Sequence, residues 1–291
     1  MLEVKNLTHQ FLLTKKIAVK AVDNVTFSIR QGEIFGLVGE SGSGKSTIAR
    51  CVMNIYKPYA GKIFYDGIDT TDKKIFAENK KFLQTSRQFI FQDSNSSLNQ
   101  RMKIFDIIAE PMKIAGLEPS HGSYLDDVIF QMKKVGLDTK YLNQYPSTLS
   151  GGQRQRVAIA RALTMNPKFI VADEPIASLD VSMQAQIVNL FRQLQEEQKF
   201  SFLFIAHDLS VVEFLCNRVA VIYRGKIVEL ASTAEIFENP LHEYTKILIA
   251  SVPIPDPVKE RKRKIPDLSA AKINLQGELR EISKGHFLLT K

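Results

Sequence analysis

The sequence predicts an α/β fold with a largely parallel sheet. Three short apolar runs, at residues 33–38, 169–172 and 202–206, have the length and composition of buried strands. Helical patterns lie between them, for example Ile187, Leu190, Phe191 and Leu194 at the spacing of one helix face. Strands that alternate with amphipathic helices pack as a sheet covered by helices, so this order is typical of the α/β class.

A glycine-rich run follows the first predicted strand and precedes a helix-type segment at residues 48–53. Its nine residues are Gly39, Glu40, Ser41, Gly42, Ser43, Gly44, Lys45, Ser46 and Thr47. The run fits G-x-x-x-x-G-K-[ST] in the strand, loop and helix context that this pattern requires. Its glycines let backbone N–H groups face inward near a helix N-terminus, so the run predicts a phosphate site.

Three polar side chains at the end of this loop have an expected role. Lys45 is expected to reach the β- and γ-phosphates, Ser46 to bind Mg²⁺ and Thr47 to bond a more inner phosphate. The alternative is a glycine-rich turn without a ligand. The correct flanking elements favour the phosphate site.

Two carboxylates end the predicted strand at residues 169–172. In open α/β sheets ligands bind at the carboxyl ends of the strands, where Asp173 is suited to hold the water shell of Mg²⁺. Glu174 is suited to polarise the attacking water. His207 ends the strand at 202–206, and we favour a γ-phosphate sensor over a structural histidine because the same sheet edge is expected there.

Gln92 follows a third strand-like run at residues 88–91 and can bind a metal or a water. Taken alone it has the character of a solvated loop residue. Its interest depends on the other motifs.

A second glycine-containing run lies before a helix-type segment at residues 153–163. It consists of Leu149, Ser150, Gly151, Gly152 and Gln153. Ser150 can cap the helix, and bare N–H groups at the glycines make a second anion site. A second phosphate-binding run implies one of two arrangements. Either the chain closes so that this run meets its own nucleotide, or the run completes the nucleotide site of a partner chain.

With these motifs in this order, the chain resembles the ATP-binding subunits of ABC transporters over nearly its whole length. The resemblance implies a P-loop NTPase core with an antiparallel β subdomain and a helical signature subdomain. It also implies a head-to-tail dimer with two ATP molecules between the phosphate loop of one subunit and the signature of the other. Asp180 would lie at the dimer seam. Phe11 resembles the aromatic residue that stacks on adenine, with Val19 at the other edge of the base; the alternative for Phe11 is a core residue.

Further segments resemble the ATPases of oligopeptide, dipeptide and nickel importers. They are residues 91–93, 97–99, 107–111, 239–246 and 252–257. The implied partners are a second ATPase subunit, two membrane permeases and, indirectly, an extracytoplasmic solute-binding protein. Cys51 and Cys216 are the only cysteines and lie far apart, so the iron–sulfur cluster of some relatives is not expected.

Length and composition set the expected organisation. With 291 residues and 44% hydrophobic content, the chain can bury a sizeable core. We expect an ATPase domain at residues 1–240, containing a mostly helical insert at about 93–160, and an extension at 241–291. No run reaches the roughly 18 apolar residues of a spanning helix, and no signal segment is seen. The expected location is the cytoplasmic face of the membrane, where two free cysteines fit a reducing compartment.

The net charge of +8 does not by itself predict nucleic-acid binding. Half of it comes from residues 259–264, which carry a net charge of +4. We interpret this run as a solvated tether, with contact to anionic lipid or to a membrane partner as the alternative.

The leading hypothesis is an ATPase subunit that drives import of peptides or a metal chelate. The alternative is a soluble ABC ATPase that acts on nucleic acid or ribosomes. It is weaker because such proteins usually join two cassettes or carry coiled-coil arms, and this chain has one cassette and no heptad array. A nucleotide kinase would have no need for the signature.

Overall fold

A computed structural model describes residues 1–12, 17–252 and 273–291. These residues form two compact units. The first comprises residues 1–29, 33–71 and 204–291, and the second comprises residues 30–32 and 72–203. The proline-rich stretch from residue 253 and the basic run at 259–264 lie outside the described residues.

The described residues contain strands β1 (Leu2–Leu12), β2 (Ala18–Ile29), β3 (Ile34–Val38), β4 (Ala60–Tyr65), β5 (Ile68–Asp69), β6 (Arg87–Ile90), β7 (Phe169–Asp173), β8 (Ser201–Ala206), β9 (Arg218–Tyr223), β10 (Lys226–Ser232), β11 (Glu278–Ser283) and β12 (His286–Thr290). The α-helices are α1 (Lys45–Val52), α2 (Lys73–Glu78), α3 (Lys80–Ser86), α4 (Ser94–Ser97), α5 (Ile104–Ala115), α6 (Tyr124–Lys134), α7 (Gly151–Leu163), α8 (Val181–Gln198), α9 (Leu209–Leu215), α10 (Thr233–Glu238) and α11 (Glu243–Ala250). Short 3₁₀ turns occupy Thr139–Tyr141 and Pro146–Thr148.

The first unit contains an antiparallel sheet and the strand that leads to the phosphate loop. The antiparallel sheet has the order β2-β1-β4-β5. The other strands of this unit belong to a second sheet, in the order β11-β12-β10-β9-β3. The last residues of β8 lie next to β3 in that sheet. β3 and β9 are parallel, with Phe35 opposite Arg218 and Val38 opposite Val221. Every residue of β3 is buried, as its continuous apolar sequence predicts.

The second unit contains β6, β7 and the beginning of β8, with most of the helices. β6 and β7 are parallel, so both strands end at the same edge, where Ile90 lies opposite Ala172. The four predicted core positions of α8, Ile187 to Leu194, are buried. Between residues 91 and 168 the structure has helices and turns only, which agrees with a mostly helical region.

The antiparallel sheet and the mixed α/β sheet with its helices confirm the predicted fold class. The predicted domain boundaries at about 93, 160 and 240 stay predictions. Within the described ranges, no helix is long and apolar enough to cross a membrane.

Candidate functional site

The phosphate loop between β3 and α1 has a backbone that requires glycine at two positions. Gly39 has φ +152° and Gly44 has φ +108°. A Cβ on Gly39 would lie 2.1 Å from the carbonyl oxygen of Ile222, and one on Gly44 would lie 2.3 Å from that of Ala21. Because both obstacles are backbone atoms, the loop can take this shape only with glycine there.

Lys45 closes the loop on itself. Its Nζ atom donates to the carbonyl oxygens of Gly39 at 2.7 Å and Glu40 at 2.9 Å, and the residue is only 4% exposed. The two hydrogen bonds offset the cost of burying the ammonium group and hold it against the loop. The loop is also tied to β9 and β10, since the carbonyl oxygen of Ser43 accepts the N–H of Gly225 at 2.9 Å.

The other residues of the loop lie around this closed shape. Glu40, Ser41 and Gly42 are exposed, whereas Ser46 and Thr47 are half-buried in the first turn of α1. One further contact was not predicted from the sequence: the N–H of Glu40 donates to the hydroxyl of Tyr244 at 3.0 Å. From the sequence, the segment that contains Tyr244 is notable only for its resemblance to peptide importers.

Phe11 and Val19 face each other across β1 and β2. They are a register pair with exposed fractions of 37% and 48%, so two apolar side chains stand side by side on one face. The Phe11 ring packs edge-on against His9 at 4.8 Å and Tyr56 at 5.7 Å between centroids. His9 and Tyr56 lie in no motif, so the sequence does not predict their place beside Phe11.

His207 follows β8 and belongs to the first unit. Its side chain is exposed, and the next residue, Asp208, begins α9 by accepting the N–H of Ser210 at 2.9 Å. The role of His207 as a phosphate sensor stays a prediction.

Two predicted site residues of the second unit are in contact. Gln92, just beyond β6, donates from Nε2 to Oε2 of Glu174 at 3.0 Å. Glu174 directly follows β7 and has φ +46°, an uncommon conformation for a residue with a side chain. Such strain is frequent where a side chain must be aimed. Asp173, the last residue of β7, is 3% exposed.

The signature run begins α7 with a complete capping box. Ser150 Oγ accepts the N–H of Gln153 at 3.3 Å, and Gln153 Oε1 accepts the N–H of Ser150 at 2.9 Å. These reciprocal bonds satisfy two backbone donors at the helix start. Leu149 is buried and anchors the turn, whereas Ser150 remains exposed.

The segment after Glu174 packs on the signature glycines. A Cβ on Gly151 would lie 3.3 Å from Leu179 Cδ2, and one on Gly152 would lie 2.0 Å from Met183 Cε. Asp180 begins α8 by accepting the N–H of Met183 at 3.0 Å. A bond from the Ser182 hydroxyl is the largest cause that lowers the pKa of the exposed Asp180 carboxyl.

Comparison with known proteins identifies the class. Residues 22–177 match the family model described as ABC transporter, so the chain belongs to the ABC transporter family and is an ATP-binding, ATP-hydrolysing subunit. Residues 228–277 match the model described as oligopeptide/dipeptide transporter, C-terminal region. The chain is therefore of the type that energises peptide import, as the sequence predicted, and the nucleic-acid alternative is not favoured.

Curated relatives agree over almost the whole chain. The oligopeptide transport ATP-binding protein OppF of Streptococcus mutans is 47% identical over 99% of this chain and 94% of its own length. The dipeptide transport ATP-binding protein DppF of Lactococcus lactis is 44% identical over 100% and 94%. Among solved structures, the ATP-binding cassette MJ0796, solved as a dimer bound to ADP and Pi, matches with a TM-score of 0.72 and 30% identity over 80% of this chain and 99% of that one.

Proposed function

We propose that residues 39–47 bind the phosphates of ATP in a peptide importer. The observation that carries this proposal is the shape of the loop: Gly39 and Gly44 hold conformations that other residues rarely adopt, and Lys45 is fixed beneath them. An ammonium held against a glycine-rich turn at a helix start favours an anion. Lys45 then binds the β- and γ-phosphates, and Thr47 a more inner one. Phe11 and Val19 receive the adenine.

Magnesium is proposed as the metal that accompanies ATP. Mg²⁺ prefers oxygen ligands and keeps several waters, and the proposed ligands Ser46, Gln92 and Asp173 all offer side-chain oxygens. The donor set therefore fits the ion. When bound, the ion neutralises charge on the phosphate oxygens.

Hydrolysis is proposed to depend on Glu174 and His207. Glu174 accepts a proton from the attacking water, and Gln92, which contacts it at 3.0 Å, orients the carboxylate. His207 contacts the γ-phosphate. His207 directly follows β8 and its side chain is exposed, which supports this role.

We propose that two such subunits close over ATP head to tail. The dimeric form in which MJ0796 was solved supports this arrangement. The signature residues Ser150, Gly151 and Gly152 of one subunit then complete the nucleotide site of the other, and Asp180 lies near the seam. The two ATPase subunits dock on two permeases at the cytoplasmic face of the membrane, and an extracytoplasmic solute-binding protein delivers the peptide to the permeases.

Lys45→Ala tests the phosphate site. Removing the ammonium should weaken binding of MgATP at least tenfold and abolish hydrolysis, because the charge-assisted bonds to the phosphates are lost. Lys73→Ala, an exposed lysine on α2, is the matched control and should bind ATP normally. Both are measured by isothermal titration and phosphate release. Parental affinity and turnover in folded Lys45→Ala would disprove the assignment.

A further inference from the structure

The phosphate loop is bonded to a residue far along the chain. The Glu40 N–H donates to the hydroxyl of Tyr244 at 3.0 Å, and Tyr244 lies in α11 within the segment matched by the peptide-transporter C-terminal model. Tyr244 is buried, and burial raises the pKa of its hydroxyl to about 12. The group is thus a neutral phenol at physiological pH and has a lone pair for the loop.

The ring that carries this hydroxyl is held on two sides. Tyr223, at the end of β9, packs against it with ring centroids 4.3 Å apart. The backbone N–H of Tyr244 donates to Nδ1 of His242, whose side chain caps α11, at 3.1 Å. The start of the helix and the direction of the ring are therefore fixed together.

A buried carboxylate fixes the start of α11. Glu229 of β10 is 0% exposed and accepts the N–H groups of Leu241 at 2.8 Å and His242 at 3.0 Å. Its third partner is Nε2 of His286 at 2.8 Å, from β12. β12 pairs with β10, with Phe287 opposite Leu230. A buried carboxylate is tolerated only when several donors satisfy it, so loss of one partner is costly.

We propose that Tyr244 is a positioning residue for the phosphate loop, fixed through Glu229 by the C-terminal hairpin β11–β12. Both backbone polar groups of Glu40 are then occupied, because its carbonyl accepts Lys45 and its N–H donates to Tyr244. A loop held in its binding conformation loses less entropy when it takes up phosphate. The C-terminal segment thereby contributes to nucleotide affinity. This inference rests on the proposed phosphate site.

The test compares two tyrosines in the full chain. Tyr244→Phe removes the hydroxyl and keeps the ring, and Tyr223→Phe removes the hydroxyl of the neighbouring ring, which is not bonded to the loop. Tyr244→Phe should weaken MgATP binding by about 3- to 10-fold, as expected for one neutral hydrogen bond, with kcat changed less than about twofold. Hydrogen exchange at the Glu40 amide should accelerate. Tyr223→Phe should leave both unchanged.

A second pair of variants tests the hairpin. His286→Leu removes a donor to Glu229 and should accelerate Glu40 exchange, with little further effect in a Tyr244→Phe background, because both changes act through one bond. His286→Gln keeps an N–H donor and should restore most of the protection. Unchanged Glu40 exchange in folded His286→Leu overturns the role of the hairpin.

The outcomes separate the two proposals. If Lys45→Ala loses ATP binding and Tyr244→Phe keeps parental affinity and Glu40 exchange, the positioning role of Tyr244 is wrong and the phosphate site stands. If Lys45→Ala binds ATP normally, the phosphate site itself is wrong. Equal weakening in Tyr244→Phe and Tyr223→Phe would also overturn the proposal, since it would show an effect of ring packing.

Discussion

The two glycine-containing runs of this chain are held in different ways. In the phosphate loop, Gly39 and Gly44 have positive φ, and backbone carbonyls of Ile222 and Ala21 occupy the space of a side chain. In the signature, Gly152 belongs to helix α7, and its close neighbour is the terminal methyl of Met183. Backbone atoms therefore oppose a side chain at Gly39 and Gly44, whereas the end of a flexible side chain opposes one at Gly152.

This difference suits the two proposed tasks. A loop that must surround phosphates in its own chain benefits from one fixed conformation, because less ordering is needed on binding. A surface that must meet a partner's nucleotide benefits from neighbours that can adjust, and a methionine side chain adapts readily. Binding of ATP to the phosphate loop should therefore be separable from the steps that need the signature.

The largest expected effect separates binding from hydrolysis. Glu174→Gln keeps size and the contact with Gln92 but removes the base, so turnover should fall by about 10²- to 10⁴-fold while ATP affinity changes little. Because ATP then persists, the variant, alone or with its companion ATPase, should elute as a dimer in size-exclusion chromatography with ATP and Mg²⁺. Turnover at the parental rate would contradict the role of Glu174.

Adding Ser150→Arg to the Glu174→Gln variant tests the signature directly. A bulky side chain at the exposed start of α7 should block the facing γ-phosphate and return the protein to monomer. ATP affinity of the single chain should not change, since the phosphate loop is intact. Dimer formation by the double variant with ATP would rule out the two-chain sandwich.

A smaller effect compares the glycines themselves. Gly39→Ala should lower the free energy of unfolding by about 2–4 kcal/mol, because a positive φ and a backbone carbonyl both oppose the methyl group. Gly152→Ala should change it by less than about 1 kcal/mol, since Met183 can move and alanine favours the helix. Urea unfolding of both variants gives the comparison. Equal losses would show that the signature is as rigidly enclosed as the loop.

Local patterns predicted the elements that carry the candidate site. The apolar run before Gly39 is β3, the run before Asp173 is β7, and Ser150 caps α7 as expected. Each of these depends on periodicity or on a cap residue within a few positions, which a sequence displays directly. Periodicity is a weaker guide on α6, where Val128 and Met132 are buried but the apolar Leu125 is 47% exposed.

Contacts between distant segments could not be predicted in the same way. The bond from Glu40 to Tyr244 spans 204 residues, and that from His286 to Glu229 spans 57. Neither residue type nor spacing signals such a pair, because a buried tyrosine or histidine finds its partner only through the tertiary packing. The Gln92 to Glu174 contact lies between these cases, since both residues follow strands that proved to be parallel neighbours.

The smallest expected effect concerns Asp180, which begins α8 beside the signature. The folded-state pKa of Asp180 is lowered, first by the Ser182 hydroxyl, so its contribution to stability is present above the unfolded carboxyl pKa of about 3.9 and is lost as pH falls through the folded value. Asp180→Asn keeps a cap without titration. The Tm of the parent should exceed that of the variant at pH 7 by a small amount, because solvent screens an exposed carboxylate, and this difference should shrink towards pH 3. Ser182→Ala should reduce the pH dependence, because the Ser182 hydroxyl is the first cause of the lowered pKa. A Tm difference independent of pH would mean that the carboxylate acts only through its shape.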